Sequence, residues 1–229
     1  MNTKIVHSES PVLLVGGGRC ADAALTKALS DTKCAVAADG GAAELLARGH
    51  MPDSVIGDMD SLSTELQARL APGVLQHIAE QDSTDFDKCL RHIEAPLVLA
   101  HGFLGARVDH QLAVFNVLVR RADRRCVLVG EDDIVLLCPP KLQLNLPKGL
   151  RFSLFPMTNL RGTSLGLRWP IDGIDFSPNT RIGTSNEVSG PVALEMEAPG
   201  MLLILPPEAL DPVLDGLQSA PLTWPARAE

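Results

Sequence analysis

Tyrosine is absent, and aromatic residues make up only 3% of the 229 positions. A flat ligand therefore has no obvious ring to stack on. Trp169 is the nearest candidate, and a tryptophan in a β-rich region is ordinarily core. A basic surplus is missing too. The formal net charge is -8 at pH 7, which argues against a nucleic-acid footprint, since that requires clustered Lys and Arg. An acidic chain still binds nucleotides through metal and local cations. Nor is there a CxxC pair. The five cysteines, Cys20, Cys34, Cys89, Cys126 and Cys138, are odd in number and mostly sit in apolar runs, which suits buried reduced thiols. No apolar run approaches the roughly 18 residues needed to cross a bilayer. Residues 1–10 carry Lys4, His7 and Glu9 rather than the apolar stretch of a signal peptide. We expect a cytoplasmic protein with no membrane partner. Internal repeats and low-complexity segments are also lacking.

What is present, with 45% apolar and 21% charged residues, suffices for one large domain or two small ones. From Pro11 to about Cys138, short apolar runs alternate with segments whose apolar residues recur every three or four positions. Val12 to Val15, Cys34 to Ala37, Ser54 to Ile56, Val74 to Ile78, Pro96 to Ala100, Cys126 to Val129 and Ile134 to Cys138 read as strands. Arg19 to Leu29, Gly41 to Arg48, Thr64 to Leu70, Asp85 to Ile93 and Val108 to Arg121 read as helices, the last with a stripe of Val108, Leu112, Phe115 and Val119. Strand and helix in turn predict βαβ units and an α/β fold with a mainly parallel sheet. After Pro139-Pro140 the pattern changes to strands at Leu142 to Leu146, Arg151 to Phe155, Val192 to Met196 and Met201 to Leu205. A helix follows at Glu208 to Leu217. We expect an α/β domain over 1–138 and a small β domain over 139–229, which needs docking to complete its burial.

Three clusters carry the chemistry. The first joins Asp39-Gly40-Gly41 to Gly57-Asp58-Met59-Asp60-Ser61, each at the carboxyl end of an expected strand, where open α/β sheets bind ligands. On an extended segment Asp58 and Asp60 point the same way and converge. Hard oxygens so placed suit Mg²⁺ bridging to phosphates. Taken alone, Gly57-Asp58 is better explained by a turn. The second cluster is Gln81-Asp82-Ser83-Thr84-Asp85-Phe86-Asp87-Lys88. Asp82 reads as a helix N-cap with Asp85 at the third helical position, and Asp85 and Lys88 share a helix face. With Asp58 and Asp60 these make four carboxylates, Asp58, Asp60, Asp82 and Asp85, that we assign to metal, because such a group is costly without a cation. The third is Gly102-Phe103-Leu104-Gly105-Ala106-Arg107-Val108-Asp109-His110. Its glycines let backbone amides approach phosphate, and Arg107 offers a bidentate fork.

Taken in order, these motifs resemble those of the thiamin pyrophosphokinase family, and Thr184-Ser185-Asn186-Glu187 is similar to that family's late Ser-Thr-Ser-Asn motif. Glu80, Ala106, Val108 and Gly183 depart from the family pattern. Gly183 lacks the hydroxyl of the family pattern, and the resemblance implies that this removes a polar contact to the substrate ring. The resemblance implies a Rossmann-like α/β domain followed by a C-terminal β-sandwich, in a homodimer whose sites lie at the subunit interface. It implies diphosphate transfer from ATP to the hydroxyl of thiamin, with Mg²⁺ as cofactor and thiamin diphosphate and AMP as products. Asp58, Asp60, Asp85 and Arg107 are the expected catalytic residues. Asp39, Gly40, Gly41, Lys88, Gly102, Gly105, Arg107 and Asp109 would line the nucleotide, and Gln81, Asp85, Ser185 and Asn186 thiamin. Two alternatives stay open: a pyrophosphokinase for another alcohol, such as a hydroxymethylpterin, and a non-catalytic thiamin- or nucleotide-binding regulator.

Overall fold

The computed structural model describes residues 4–105 and 107–224. Within them the chain forms two compact units. One ends at Val117 and takes in Cys126–Glu131; the other comprises Leu118–Arg125 and continues from Asp132.

In the first unit the elements run β1 (Val6–His7), β2 (Val12–Val15), α1 (Asp22–Asp31), β3 (Ala35–Ala38), α2 (Gly41–Ala47), β4 (Ser54–Gly57), α3 (Thr64–Arg69) and β5 (Leu75–His77). They continue with α4 (Asp85–His92), β6 (Ile93–Glu94), β7 (Val98–His101), α5 (Val108–Arg120) and β8 (Cys126–Val129). Every neighbour in the order β8-β7-β2-β3-β4-β5 is parallel. Strands β2, β4, β7 and β8 are buried at every position, because helices cover both faces of such a sheet and apolar runs without alternation are what it needs. The chain walks outward from β2 through β3, β4 and β5, then returns to lay β7 on the opposite side of β2. The direction therefore switches at β2, and the loops leaving β2, β3 and β7 part there into a crevice.

Two glycines make that crevice tight. A β-carbon on Gly41 would lie 1.9 Å from the Val15 carbonyl oxygen, so α2 starts directly on the end of β2. Gly102 has φ +77°, and a β-carbon there would lie 2.5 Å from the Gly16 carbonyl oxygen.

Helix α5 corrects the expected stripe. Val108 and Leu112 are exposed, at 73% and 58%, whereas Val114, Val117 and Leu118 are buried. The buried face is rotated from the stripe chosen by spacing alone.

The second unit holds β9 (Ile134–Leu137), β10 (Lys141–Leu144), β11 (Arg151–Pro156), β12 (Gly162–Leu167), β13 (Gly183–Met196) and β14 (Met201–Leu205). A 3-10 turn (Pro207–Ala209) then leads into α6 (Leu210–Ser219). All its pairings are antiparallel, β14 lying between β9 and β11. The long strand β13 pairs with β11 through its first residues and with β10 and β12 through its later ones. Val192, Leu194 and Met196 are buried and Glu195 and Glu197 exposed, the alternation a half-covered strand requires. Strand β12 and the first part of β13 were not expected, because their Gly, Ser, Thr and Asn residues read as loop.

Candidate active site

The loops at the carboxyl ends of β2, β3, β4 and β7 enclose a cavity of about 680 Å³. It is lined by Gly16, Gly17 and Gly18 after β2, by Asp39, Gly40, Asp58 and Ser61 after β3 and β4, and by Gly102, Gly105, Arg107 and His110 after β7. Helix α4 contributes Thr84, Asp85, Phe86 and Lys88, and Phe86 meets Phe103 with ring centroids 4.7 Å apart. These two rings give the polar cavity one apolar side.

Asp39, Asp58 and Asp60 bring ligand oxygens within 4.8 Å of one another. The reason differs from the expected one. Strand β4 ends at Gly57, and Met59 adopts a left-handed backbone with φ 66°, so Asp58 and Asp60 converge through a turn and not along an extended strand. The Asp60 amide approaches Asp58 Oδ1 at 3.4 Å. Asp39 also has a left-handed backbone, φ 41°. Its carboxylate is 2% exposed, accepts one hydrogen bond from the Ser61 amide at 3.1 Å, and leaves Oδ1 buried with no partner. Burial raises the Asp39 pKa against that hydrogen bond, and the charge of Asp85 adds to the rise. A divalent cation fits this donor set, since it supplies the missing partner and relieves three gathered carboxylates.

The acidic helix start also differs in detail. The N-cap of α4 is Thr84, whose hydroxyl accepts from the Asp87 amide at 3.3 Å; Asp82 lies outside the helix and is exposed. Asp85 is the first helical residue, and Lys88 follows on the same face. The Lys88 ammonium is 2.9 Å from Asp85 Oδ1 and 3.1 Å from Asp58 Oδ2. Gln81 donates to the same Asp58 oxygen at 3.3 Å. Burial, the largest single influence, pushes the Asp58 pKa up, but hydrogen bonds from Lys88, the Asp60 amide and Gln81, with the Lys88 charge, together hold the carboxyl below its usual range. Lys88 is likewise depressed by burial and raised more strongly by its two carboxylates.

Arg107 and Asp109 form a two-pronged pair at 2.6 and 3.2 Å, both side chains about two-thirds exposed. Hydrogen bonding from Arg107 brings the Asp109 pKa down to about 2. Among the described residues, then, the structure gathers Asp39, Gly40, Asp58, Asp60, Asp85, Lys88, Gly102, Gly105 and Arg107 at one crevice, with Gln81 reaching in. It leaves Asp82 outside the converging carboxylates, Gly41 packed on the end of β2 as the first residue of α2, and Asp109 engaged with Arg107.

Residues 25–129 match the family model described as thiamin pyrophosphokinase, catalytic domain. Over that segment the chain is similar to the catalytic domain of the thiamin pyrophosphokinases. Thiamine pyrophosphokinase 1 of Arabidopsis thaliana is 31% identical over 159 residues, which cover 61% of this chain and 59% of that protein. Thiamine pyrophosphokinase 1 of Oryza sativa subsp. japonica is 32% identical over 158 residues, 61% of this chain and 60% of that one. The alignments thus span about three fifths of these plant relatives. Among solved structures, thiamin pyrophosphokinase from Candida albicans superposes with TM-score 0.74 at 15% identity, covering 88% of this chain and 93% of its own. The Bacillus subtilis thiamine pyrophosphokinase gives TM-score 0.71 at 21% identity, with 86% and 98% covered. The chain therefore has the α/β fold of the thiamin pyrophosphokinases.

The matched segment contains every carboxylate of the cluster, but neither Gly16–Gly18 nor the late motif. From sequence, the glycines of that first loop carry no assigned role; their place at the end of the switch strand β2 is the signal that could have found them.

In the second unit, Ser185 has φ 63° and donates its amide to Ser153 Oγ at 3.0 Å. Asn186 is 8% exposed. Its side-chain oxygen accepts from the Trp169 and Glu187 amides at 3.2 and 2.8 Å, and its side-chain nitrogen donates to the Trp169 carbonyl at 2.6 Å. Asn186 is thus a clasp on the Trp169 backbone. Trp169 itself is 53% exposed, contrary to the core position expected, and the Arg168 guanidinium lies 4.8 Å from its ring centroid. Asp39, Met59 and Ser185 are the non-glycine residues with positive φ among the described residues, and each falls inside a motif picked out in the sequence. Backbone strain of this kind collects at functional positions.

Proposed function

We propose that this chain is a thiamin pyrophosphokinase, transferring the diphosphate group of ATP to the hydroxyl of thiamin to give thiamin diphosphate and AMP. The observation that carries the reading is the convergence of Asp39, Asp58 and Asp60 beside a glycine-walled cavity at the switch point of a parallel sheet.

Asp58, Asp60 and Asp39 would hold Mg²⁺. Bound there, the ion supplies positive charge to the phosphate oxygens. Asp82, grouped with the metal carboxylates from sequence, is better assigned to the rim. Gly40, Gly102 and Gly105, with Gly41 beneath them, form the nucleotide wall. Arg107, kept in place by Asp109, offers its fork to a phosphate. The thiamin hydroxyl oxygen attacks the β-phosphorus in line. One P–O bond forms there, the bond from that phosphorus to the α,β-bridging oxygen breaks, and AMP leaves with that oxygen. Asp85, one of whose oxygens is committed to Lys88, accepts the hydroxyl proton on the other. Holding the two reactants in register is most of the catalytic task.

Thiamin is a cation and suits an acidic crevice. Gln81 and Asp85 would face it from one subunit, and Ser185 and Asn186 from the other subunit of a homodimer. Residues 1–138 act in this reading as the Rossmann-like ATP and Mg²⁺ domain, and 139–229 as a β-sandwich for thiamin and dimerisation. No helix among the described residues is long and apolar enough to cross a membrane. We place the protein in the cytoplasm.

Phosphorus NMR of the purified protein with ATP, Mg²⁺ and thiamin tests the reading. AMP and thiamin diphosphate are expected together, and neither without thiamin or with EDTA. Formation of ADP in place of AMP would show attack at the γ-phosphorus and overturn the mechanism.

A further inference from the structure

Lys88 was expected to reach the nucleotide. Its side chain is instead 1% exposed, and its ammonium sits between Asp58 Oδ2 at 3.1 Å and Asp85 Oδ1 at 2.9 Å. A buried ammonium is tolerated only where carboxylates offset its desolvation, and the same holds in reverse for the carboxylates. Asp58 therefore divides its two oxygens. Oδ2 receives Lys88 and Gln81, while Oδ1 is approached only by the Asp60 amide at 3.4 Å. That leaves Oδ1 available to the converging group that Asp58 forms with Asp39 and Asp60. Four carboxylates, Asp39, Asp58, Asp60 and Asp85, thus surround two cation positions that share Asp58, and one of the two is already taken by a tethered charge.

We propose that Lys88 is a positioning residue that occupies, as a permanent internal cation, the place between Asp58 and Asp85 where a second divalent ion would otherwise bind, so that the free protein takes up one divalent ion through its own carboxylates. The inference rests on the metal reading above and deepens it. It also gives a reason for the spacing of Asp85 and Lys88, because residues three apart on a helix meet on one face and fix the ammonium without a mobile loop. Lysine suits the role better than arginine here, since a compact point charge stands closer to the size of a metal ion than a planar fork does.

The test is a titration of the free protein with Mn²⁺, followed by electron paramagnetic resonance, which counts bound ions without substrate or turnover. Wild type is expected to bind one Mn²⁺ per chain, Lys88→Arg also one, and Lys88→Met two. Circular dichroism first establishes that each variant is folded. A folded Lys88→Met protein that binds a single Mn²⁺ with wild-type affinity overturns the assignment. Two ions in wild type overturn it as well, and this arm holds even where Lys88→Met does not fold. A wild-type protein that binds no Mn²⁺ overturns instead the metal reading on which the inference rests.

Discussion

At the scale of single residues, few polar side chains are buried among the described residues. His101 is one of them. It is 1% exposed at the end of β7, one residue before Gly102, and its Nδ1 has no partner. Burial lowers its pKa from 6.5 to about 4. The sign of the consequence follows from proton counting. Between those values the unfolded chain binds a proton that the folded chain does not, so the stability is present above pH 6.5 and is lost as the pH falls toward 4. On the order of 3 kcal/mol is at stake over that window. Urea unfolding at pH 7 and at pH 4.5 should show a marked loss at the lower value, and His101→Gln should flatten the difference. An unchanged slope in His101→Gln would remove His101 as its cause.

At the scale of elements, helix α4 aims Asp85 and Lys88, and its start depends on Thr84. Thr84→Ala removes the side-chain acceptor for the Asp87 amide and should cost about 1 kcal/mol. A melting temperature lower by roughly 2–4 °C is expected for a protein of this size. Loss of turnover beyond the loss of folded protein would show that the cap also sets the angle of Asp85. A melting temperature equal to that of wild type would mean that Asp82 caps the helix after all.

Elements are also where the sequence was most and least readable. Strands β2, β4, β7 and β8 announced themselves because burial on both faces leaves only apolar runs. Helix α5 was placed correctly in length but rotated in face, since Val108, Leu112, Phe115 and Val119 satisfy helical spacing as well as Val114, Val117 and Leu118 do. Strand β12 stayed hidden, being built from Gly, Thr and Ser whose pairing with β13 is decided by residues far along the chain. At the site, Asp58 and Asp60 were legible from adjacency. Asp39 was expected at the nucleotide and was not grouped with Asp58 and Asp60, because its approach to them comes from the pairing of β3 with β4.

At the scale of the whole molecule, the proposed active site needs two chains, one giving Asp58 and Asp85 and the other Ser185 and Asn186. This has a countable outcome. Asp58→Asn and Asn186→Ala should each abolish most turnover alone. In a dimer of one chain of each kind, one site carries both lesions and its partner carries neither. Equal co-expression should therefore restore about a quarter of wild-type activity, since half the dimers are mixed and each has one intact site. Activity no greater than the average of the two variants alone would place all four residues in a single chain and remove the interface from the site.

The return of the chain to β2 bears on how the protein is made. During synthesis β2 can acquire β3, β4 and β5 in turn, and the pairing of β3 and β4 brings Asp39 to Asp58 and Asp60 early. The other edge of β2, Val12-Leu13-Leu14-Val15, stays open until Val98–His101 leaves the ribosome. The nascent chain therefore carries an acidic pocket before it has a complete nucleotide wall, next to an uncapped apolar edge. That edge is the natural place for a chaperone to hold, and for two unfinished chains to stick to each other.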